Sequence, residues 1–161
     1  MSQQLLAKID SPDAAIREAA LTDCQTLAEL PSEALLAAIR HTEDTVPEVR
    51  EAAVGVCERD DEWDTYLVAP LVKLLGQVRE DAAYWCATLL GRFGADAAPA
   101  VPALVTALER LTYAPALQRV VLALGKIGPA ATSAKTQIAK FTEHADQHLS
   151  RTARDVLVQL K

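Results

Sequence analysis

The feature that most constrains the fold is a set of apolar positions that recurs about every 33 residues. Ile16, Val49, Ala82, Ala116 and Leu149 lie 33, 33, 34 and 33 residues apart. Sequence periods of 20–50 residues are typical of stacked repeat proteins, in which each unit buries its apolar face only against its neighbours. A second set has every interval equal to 33 and consists of Leu6, Ile39, Val72, Val105 and Ile138.

Each repeat has the pattern of two helices. In the fourth repeat, Val101, Leu104, Val105 and Leu108 predict a first helix over about 98–111, because their spacing places them on one helical face. Pro115 opens the second helix. The 30 Ala and 22 Leu among 161 residues favour helix throughout. We therefore predict an all-α, right-handed α-solenoid of about five helical hairpins in a single domain, with approximate repeats 2–30, 31–62, 63–95, 96–128 and 129–161.

Several segments of the chain resemble HEAT repeats, most of all the short bacterial type first noted in phycobilin lyases. They are 49–53 (VREAA), 90–94 (LGRFG), 98–104 (APAVPAL) and 124–129 (LGKIGP). The resemblance covers roughly residues 3–160 and implies a superhelix of paired helices, without implying one function. It also implies a polar ladder between repeats, built by an arginine early in the second helix. Arg17 and Arg50 match that position, whereas Ala83, Leu117 and Ser150 occupy it in the later repeats.

In the HEAT geometry the second helices line a concave groove. Counting from the ladder position of each repeat, residues at offsets 0, 4, 8 and 11 are expected in the core, and those at offsets 2, 6 and 10 in the groove. The predicted groove combines apolar anchors with a basic ridge of Arg59, Arg92 and Lys126. Basic residues also occur at helix C-termini without any ligand, because their charge offsets the helix dipole. The candidate partner-binding residues are Glu51, Arg59, Tyr84, Thr88, Arg92, Gln118, Leu122 and Lys126.

Both tryptophans have a structural and a functional interpretation. Trp85 is expected to pack between repeats, with Arg119 stacked on it through a cation–π contact. Trp63 lies in the acidic segment 58–64 (ERDDEWD). That segment lacks the spaced oxygen ligands and the turn glycine of a calcium loop. Two interpretations of the segment stay open. It forms a solvated loop with Trp63 folded back onto the helices, or it exposes Trp63 as a docking point for a basic peptide.

The chain shows no pattern typical of an enzyme. It has no phosphate-binding glycine loop, no nucleophile elbow and no Cys-x-x-Cys pair, and its three cysteines fall on apolar faces of different helices. His144 and His148 have the spacing of a metal pair, but no Glu follows His144 and a solvated turn is the favoured interpretation. We expect no catalytic residue, no metal and no cofactor.

Charge and hydropathy narrow the class of partner. Residues 1–81 have a net charge of −10 and residues 82–161 of +4, which predicts an electrostatic dipole that steers a partner, stacks copies head to tail, or merely keeps the protein soluble. An acidic chain with few groove aromatics is a poor nucleic-acid binder. No long apolar run or leader pattern is present, so we expect a bacterial cytoplasmic protein that does not bind membranes.

These patterns together predict a non-catalytic protein–protein interaction module or adaptor, which binds a segment of another protein in the concave groove. Two alternatives stay open. The chain is a chromophore or substrate chaperone similar to the phycobilin lyases, since the basic ridge could hold propionates. Or it is a structural subunit that self-associates through its repeat ends.

Overall fold

A computed structural model describes residues 2–160, which form α-helices, 3₁₀ segments and connecting turns but no β-strand. Three 3₁₀ segments, Thr65–Leu67, Gly94–Ala100 and Gly128–Ala134, lead into α-helices. The all-α repeat fold expected from the sequence is therefore confirmed. The α-helices are α1 (Ser2–Ile9), α2 (Ala14–Thr26), α3 (Ser32–His41), α4 (Pro47–Cys57), α5 (Val68–Leu75), α6 (Glu80–Arg92), α7 (Val101–Arg110), α8 (Ala114–Ile127), α9 (Lys135–Ala139) and α10 (Gln147–Gln159).

The chain divides into two compact units. Unit 1 is Met1–Asp64 and contains α1 to α4, and unit 2 is Thr65–Lys161 and contains α5 to α10. The boundary falls within two residues of the one predicted between the second and third repeats. Each predicted repeat holds one pair of α-helices. The assignment of all five pairs to a single domain stays a prediction.

Helix ends follow the local chemistry of the sequence. The Asp13 and Asp146 carboxylates accept hydrogen bonds from backbone N–H groups at the starts of α2 and α10, both at 2.9 Å. The first helix of the fourth repeat is shorter than predicted, because the chain winds as a 3₁₀ helix through Pro99 before α7 begins at Val101. Gly94 opens that segment with a φ of +54°, which glycine adopts readily.

The core of unit 1 lies between its paired helices. Val49, Ala20, Ala53 and Cys24 are buried at the predicted offsets 0, 4 and 8, whereas Asp60, at offset 11, is exposed. Ile16 differs from the other ladder residues, because its side chain is 45% exposed. The other helices of unit 1 therefore leave this side of α2 uncovered.

A polar network joins the first two repeats of unit 1. The Arg17 guanidinium donates two hydrogen bonds of 2.9 Å to the two carboxylate oxygens of Asp44, and a third to the Ser11 carbonyl. His41 lies 3.0 Å from the same carboxylate, and Arg50 donates to the Asp44 carbonyl at 2.7 Å. Arg17 thus links the first two repeats as the HEAT resemblance implies, whereas the hydrogen bonds of Arg50 stay within the second repeat.

In unit 2 the second helices α6, α8 and α10 stack on one another in that order. Glycines permit the close approach. A Cβ at Gly91 of α6 would lie 3.3 Å from the Ala123 Cα of α8, and a Cβ at Gly125 of α8 would lie 2.8 Å from the Val156 Cγ2 of α10. The ladder residues Ala82, Ala116 and Leu149 are fully buried along this stack.

Candidate partner-binding site

The residues expected to bind a partner are divided between the two units. Glu51 and Arg59 belong to unit 1, and the other six belong to α6 and α8 of unit 2. Glu51 is exposed on α4. The six residues of unit 2 therefore define the candidate site.

Arg59 has a structural role within unit 1. Its Nη1 donates to the carbonyls of Cys24 and Gln25 at 3.1 and 2.7 Å, and its Nη2 donates to the Leu27 carbonyl at 2.8 Å. Its Nε and Nη2 hold the Asp61 carboxylate at 2.6 and 2.8 Å. All five guanidinium donors are thereby used, three of them on the carbonyls that end α2. The sequence placed Arg59 on a ligand-facing ridge, and the structure instead assigns it to a helix end.

In unit 2, one face of α6 lies against one face of α8. Each face is a stripe with the spacing i, i+3, i+4, i+7. Three of the four residues on the α6 stripe and all four on the α8 stripe line a shallow pocket of about 30 Å³. The pocket is lined by Ala87, Thr88 and Gly91 of α6 and by Arg119, Leu122, Ala123 and Lys126 of α8.

Small residues make this pocket possible. Ala87, Gly91 and Ala123 are small and let the two helices approach closely. The longer side chains of Leu122 and Lys126 line the same pocket. A Cβ at Gly91 would lie 3.5 Å from the Lys126 Cδ, so the lysine stem packs over the glycine. The predicted residues Thr88, Leu122 and Lys126 are therefore brought together.

Tyr84 lies one turn before Thr88 on α6, and its ring contacts the Arg119 side chain. The Arg119 guanidinium carbon lies 4.8 Å from the centre of the Tyr84 ring, within the range of a cation–π contact. Trp85 meets the same tyrosine edge to face, with ring centres 5.2 Å apart. The helical offsets predicted that Arg119 stacks on Trp85, and this prediction is wrong. Both aromatic residues lie on α6, and Arg119 covers the ring of Tyr84.

Arg119 lies in the groove, although the predicted groove offsets did not include it. Offset 3 from Ala116 placed it on the flank of its helix. The signal that identifies it is the helical spacing of 119, 122, 123 and 126, which sets Arg119 on one face with Leu122 and Lys126. On α8 the groove stripe therefore keeps the predicted offsets 6 and 10 (Leu122 and Lys126), and offset 3 (Arg119) replaces offset 2 (Gln118).

Two of the predicted residues of unit 2, Gln118 and Arg92, do not line the pocket. The Gln118 side-chain amide donates to the Thr152 hydroxyl of α10 at 3.0 Å, which links the two helices. Arg92 is the last residue of α6 and is exposed. Thr88 donates its hydroxyl hydrogen to the Tyr84 carbonyl at 2.8 Å, so only its oxygen lone pairs are left for another group.

Glu80 fixes the start of α8 relative to α6. Its carboxylate accepts hydrogen bonds from the Thr112 backbone and hydroxyl, both at 3.0 Å, and from the Tyr113 N–H at 3.2 Å. Burial raises the pKa of Glu80, but these hydrogen bonds and the Arg110 charge outweigh burial and lower it. The ionised glutamate therefore holds the turn before α8, on which Arg119 and Leu122 lie.

The Cys24 thiol and the His144 ring both have structural surroundings. Burial raises the pKa of the Cys24 thiol, with the Asp23 charge adding to the effect, so it stays a protonated core side chain. The His144 ring accepts a hydrogen bond from the Asp146 N–H at 3.0 Å. Within residues 2–160, no group of three or more His, Cys, Asp or Glu side chains is arranged to hold a metal ion. None of the helices in that range is long and apolar enough to span a bilayer.

Trp63, the other aromatic candidate, is partly buried. In the acidic segment around it, Asp61 is paired with Arg59 at 2.6 Å. Burial of the indole and pairing of a neighbouring carboxylate favour the folded-back alternative over an exposed docking point.

Comparison with solved structures agrees with the geometry of the helices. An engineered protein superposes with a TM-score of 0.59 at 18% identity, over 98% of this chain and 78% of its own. A chain of the CpcE–CpcF complex of phycocyanin lyase from Nostoc sp. PCC7120 gives 0.60 at 23% identity, over 100% of this chain and 65% of its own. A designed armadillo repeat protein gives 0.52 at 14% identity, over 98% of this chain and 99% of its own.

The fold is that of HEAT- and armadillo-type helical-repeat proteins. At these identities the likeness concerns the repeat fold alone, and this chain spans slightly less than two thirds of the lyase chain. No family model and no curated protein matches the sequence. The resemblance to HEAT repeats is confirmed at the level of the fold.

Proposed function

We propose that this helical-repeat protein is a non-catalytic binding module, which holds a segment of another protein on the face formed by α6 and α8. The observation that carries the proposal is the grouping of Tyr84, Arg119, Leu122 and Lys126 around one pocket. Tyrosine and arginine are the residue types enriched at binding hot spots, above all when partly buried.

The surface combines apolar contact with positive charge. Leu122 and Tyr84 are partly buried and offer apolar area, while Arg119 and Lys126 supply charge at the same pocket. The site lies on two rigid helices with a fixed spacing, so little conformational entropy is lost when a partner binds. An extended or helical segment laid across both helices would bury more area than the pocket alone.

The test is selection of binders from a displayed library of random 12-residue peptides, using the full chain as bait. The selected peptides are then measured against Leu122→Ser, Lys126→Met and the control Lys73→Met. Lys73 is an exposed lysine of α5 outside the pocket, so its replacement removes the same charge elsewhere in unit 2.

We expect Leu122→Ser and Lys126→Met each to weaken binding of the selected peptides about tenfold or more, because each truncates a central contact. Lys73→Met is expected to change affinity less than twofold. Failure to enrich any peptide, or equal binding by all three variants, would contradict the proposal.

A second candidate is the chromophore or substrate chaperone, and the similarity of the fold to a phycocyanin lyase chain favours keeping it. Arg119 and Lys126 would then hold the propionate groups of a tetrapyrrole. The test is addition of a bilin to the protein. A saturable absorbance shift that Arg119→Met removes would favour this candidate, and an unchanged spectrum would exclude it.

A further inference from the structure

The Arg119 guanidinium lacks the partners that other arginines of this chain have. Arg17, Arg50, Arg59 and Arg110 all donate hydrogen bonds to backbone carbonyls, at 2.7–3.3 Å. Arg119 forms no hydrogen bond with any residue between 2 and 160, and its Nε is shielded from solvent. A shielded N–H without a partner is costly, so the Arg119 Nε is a donor that a ligand could satisfy.

The contact that Arg119 does make leaves its donors available. The Tyr84 ring lies 4.8 Å below the guanidinium carbon and covers one face of the planar group. The five N–H bonds of a guanidinium lie in its plane, so a ring against the face does not use them. The tyrosine ring therefore positions the Arg119 guanidinium without accepting a hydrogen bond from its N–H groups.

No negative charge balances Arg119 at the pocket. The other charged residue in the lining is Lys126, and neither Asp nor Glu lines the pocket. Residues 65–161 as a whole carry eleven basic and seven acidic side chains. The pocket thus has two positive charges in a positively charged unit, which favours an anionic ligand.

The pocket is small, which favours a small anion. A water molecule needs at least about 10–15 Å³ of such volume, so about 30 Å³ has room for two water-sized groups. The two oxygens of a carboxylate match that room and the paired donors of a guanidinium. A phosphate monoester carries more oxygen atoms, and the Thr88 oxygen, whose hydrogen is already donated to Tyr84, offers no further donor to one.

We propose that this pocket binds a single carboxylate of an acidic peptide segment, an Asp or Glu side chain of the partner, with Arg119 as the paired donor and Lys126 as the second charge. An apolar residue next to that carboxylate would contact Leu122 at the pocket margin. This inference rests on the proposed function, because it names the chemistry of the segment that the face would hold.

The experiment is an NMR titration of the ¹⁵N-labelled full chain with N-acetyl-glutamate N-methylamide. The Nε–Hε signal of Arg119 is assigned by its loss in Arg119→Lys. The glutamine analogue of the probe is the matched control, since it differs only in charge and one heavy atom. The phosphoserine analogue and a bilin are added in separate arms.

We expect a saturable shift of the Arg119 signal with the glutamate probe, and at least tenfold weaker binding of the glutamine probe. In the variants, binding is read from the backbone amide signals of Leu122 and Ala123. Arg119→Met and Lys126→Met are each expected to weaken binding of the glutamate probe about tenfold, and Lys73→Met less than twofold. Because the probe pair itself tests the carboxylate, a folding defect in one variant leaves the result decisive.

Three results would overturn the inference: no shift with the glutamate probe, equal binding of both analogues, or tighter binding of the phosphoserine probe. Saturable binding of a bilin at the Arg119 signal, with no response to the glutamate probe, would assign the pocket to a small-molecule carboxylate and also overturn it. Library peptides that need Leu122 but tolerate replacement of every acidic residue would leave the binding module standing while refuting the carboxylate. A glutamate-specific shift without any library binder would support the carboxylate site and contradict the peptide-binding module.

Discussion

At the scale of single residues, the Asp44 carboxylate in unit 1 is held by Arg17, His41 and the Val46 N–H. Burial raises its pKa, but hydrogen bonds from Arg17, the Val46 N–H and His41, with the charge of Arg17, lower it to about 2. The side chain is 7% exposed, so solvent screens these contacts little. An ionised carboxylate at neutral pH is therefore part of the folded state.

The first prediction concerns the pH dependence of stability. The pKa of Asp44 is about 2 when folded and 3.8 in the reference state, so its stabilisation is complete well above pH 3.8 and declines as pH falls toward 2. We expect Asp44→Asn to lower the free energy of unfolding by about 2 kcal/mol at pH 7. Urea unfolding between pH 7 and pH 3 measures the difference.

In that series the gap between wild type and Asp44→Asn should narrow below pH 4. Asp60→Asn replaces an exposed carboxylate and is the control, with little effect at any pH. A gap that stays constant down to pH 3 would contradict the ionic origin of the stabilisation.

The second prediction separates the structural from the ligand-binding interpretation of Arg59. Arg59→Met leaves three backbone carbonyls at the end of α2 without their donor, so we expect unfolding to become easier by about 2–3 kcal/mol. Arg59→Lys should recover only a small part, because one ammonium cannot reach the same set of acceptors. Chemical denaturation is the measurement.

Arg40→Met is the matched control, since that guanidinium is 47% exposed and its ion pair with Asp10 is 3.5 Å long. Its effect should stay within about 0.5 kcal/mol. An Arg59→Met variant as stable as wild type would return Arg59 to the list of ligand-binding candidates.

At the scale of elements, glycine sets how closely the second helices of unit 2 pack. Gly125 is the clearest case, because an added Cβ would lie 2.8 Å from the Val156 Cγ2 and 3.2 Å from its Cγ1. The close packing of α8 on α10 therefore depends on the absence of a side chain at this position.

The third prediction tests this packing. Gly125→Ala gains up to about 1 kcal/mol of helix propensity but overpacks the interface at a cost of about 1–3 kcal/mol. We expect a net loss in the free energy of unfolding. In a Val156→Ala background the same substitution should be neutral or stabilising, so a double-mutant cycle measures the clash.

Gly76→Ala is the control for helix propensity alone. It lies at the C-terminal end of α5, and the nearest atoms to an added Cβ are 3.6 and 4.0 Å away. We expect this variant to be as stable as wild type or slightly more stable. If Gly125→Ala behaves in the same way, the packing argument is wrong.

At the scale of the whole molecule, the two units have opposite charge. Residues 1–64 carry five basic and fifteen acidic side chains, whereas residues 65–161 have a net charge of +4. The division matches the sequence-based contrast between −10 and +4. It places the carboxylate-binding candidate in the basic unit.

The fourth prediction concerns the segment that joins the units. α4 ends at Cys57 and the next helical segment begins at Thr65, and both Glu58 and Glu62 are exposed between them. We expect a glutamate-specific protease to cut there first, because backbone outside regular structure is cleaved more readily. Mass spectrometry of early time points identifies the cut.

The double variant Glu58→Gln, Glu62→Gln should then resist the first cleavage. Glutamates within helices, such as Glu48 of α4 and Glu109 of α7, serve as internal controls in the same digest. An initial cut after either of them would contradict the assignment of the joining segment.

The sequence by itself determined the repeat fold. A 33-residue period, the spacing of apolar residues within each repeat and the positions of Pro and Gly specify paired helices, since all three act through local geometry. The core positions Ala82, Ala116 and Leu149 followed from the same period. The Arg17 ladder followed from the HEAT resemblance.

Only the tertiary structure decided what the charged side chains do. Arg119 lies on the second helix α8 and Arg59 lies two residues beyond the second helix α4. Arg59 nevertheless binds the backbone carbonyls at the end of α2, whereas Arg119 rests on Tyr84 and its Nε has no hydrogen-bond partner. A long side chain reaches groups on neighbouring helices, and its partner depends on distances of a few ångströms that the helical period does not specify. The pocket has the same origin, because its volume comes from the fit of α6 against α8.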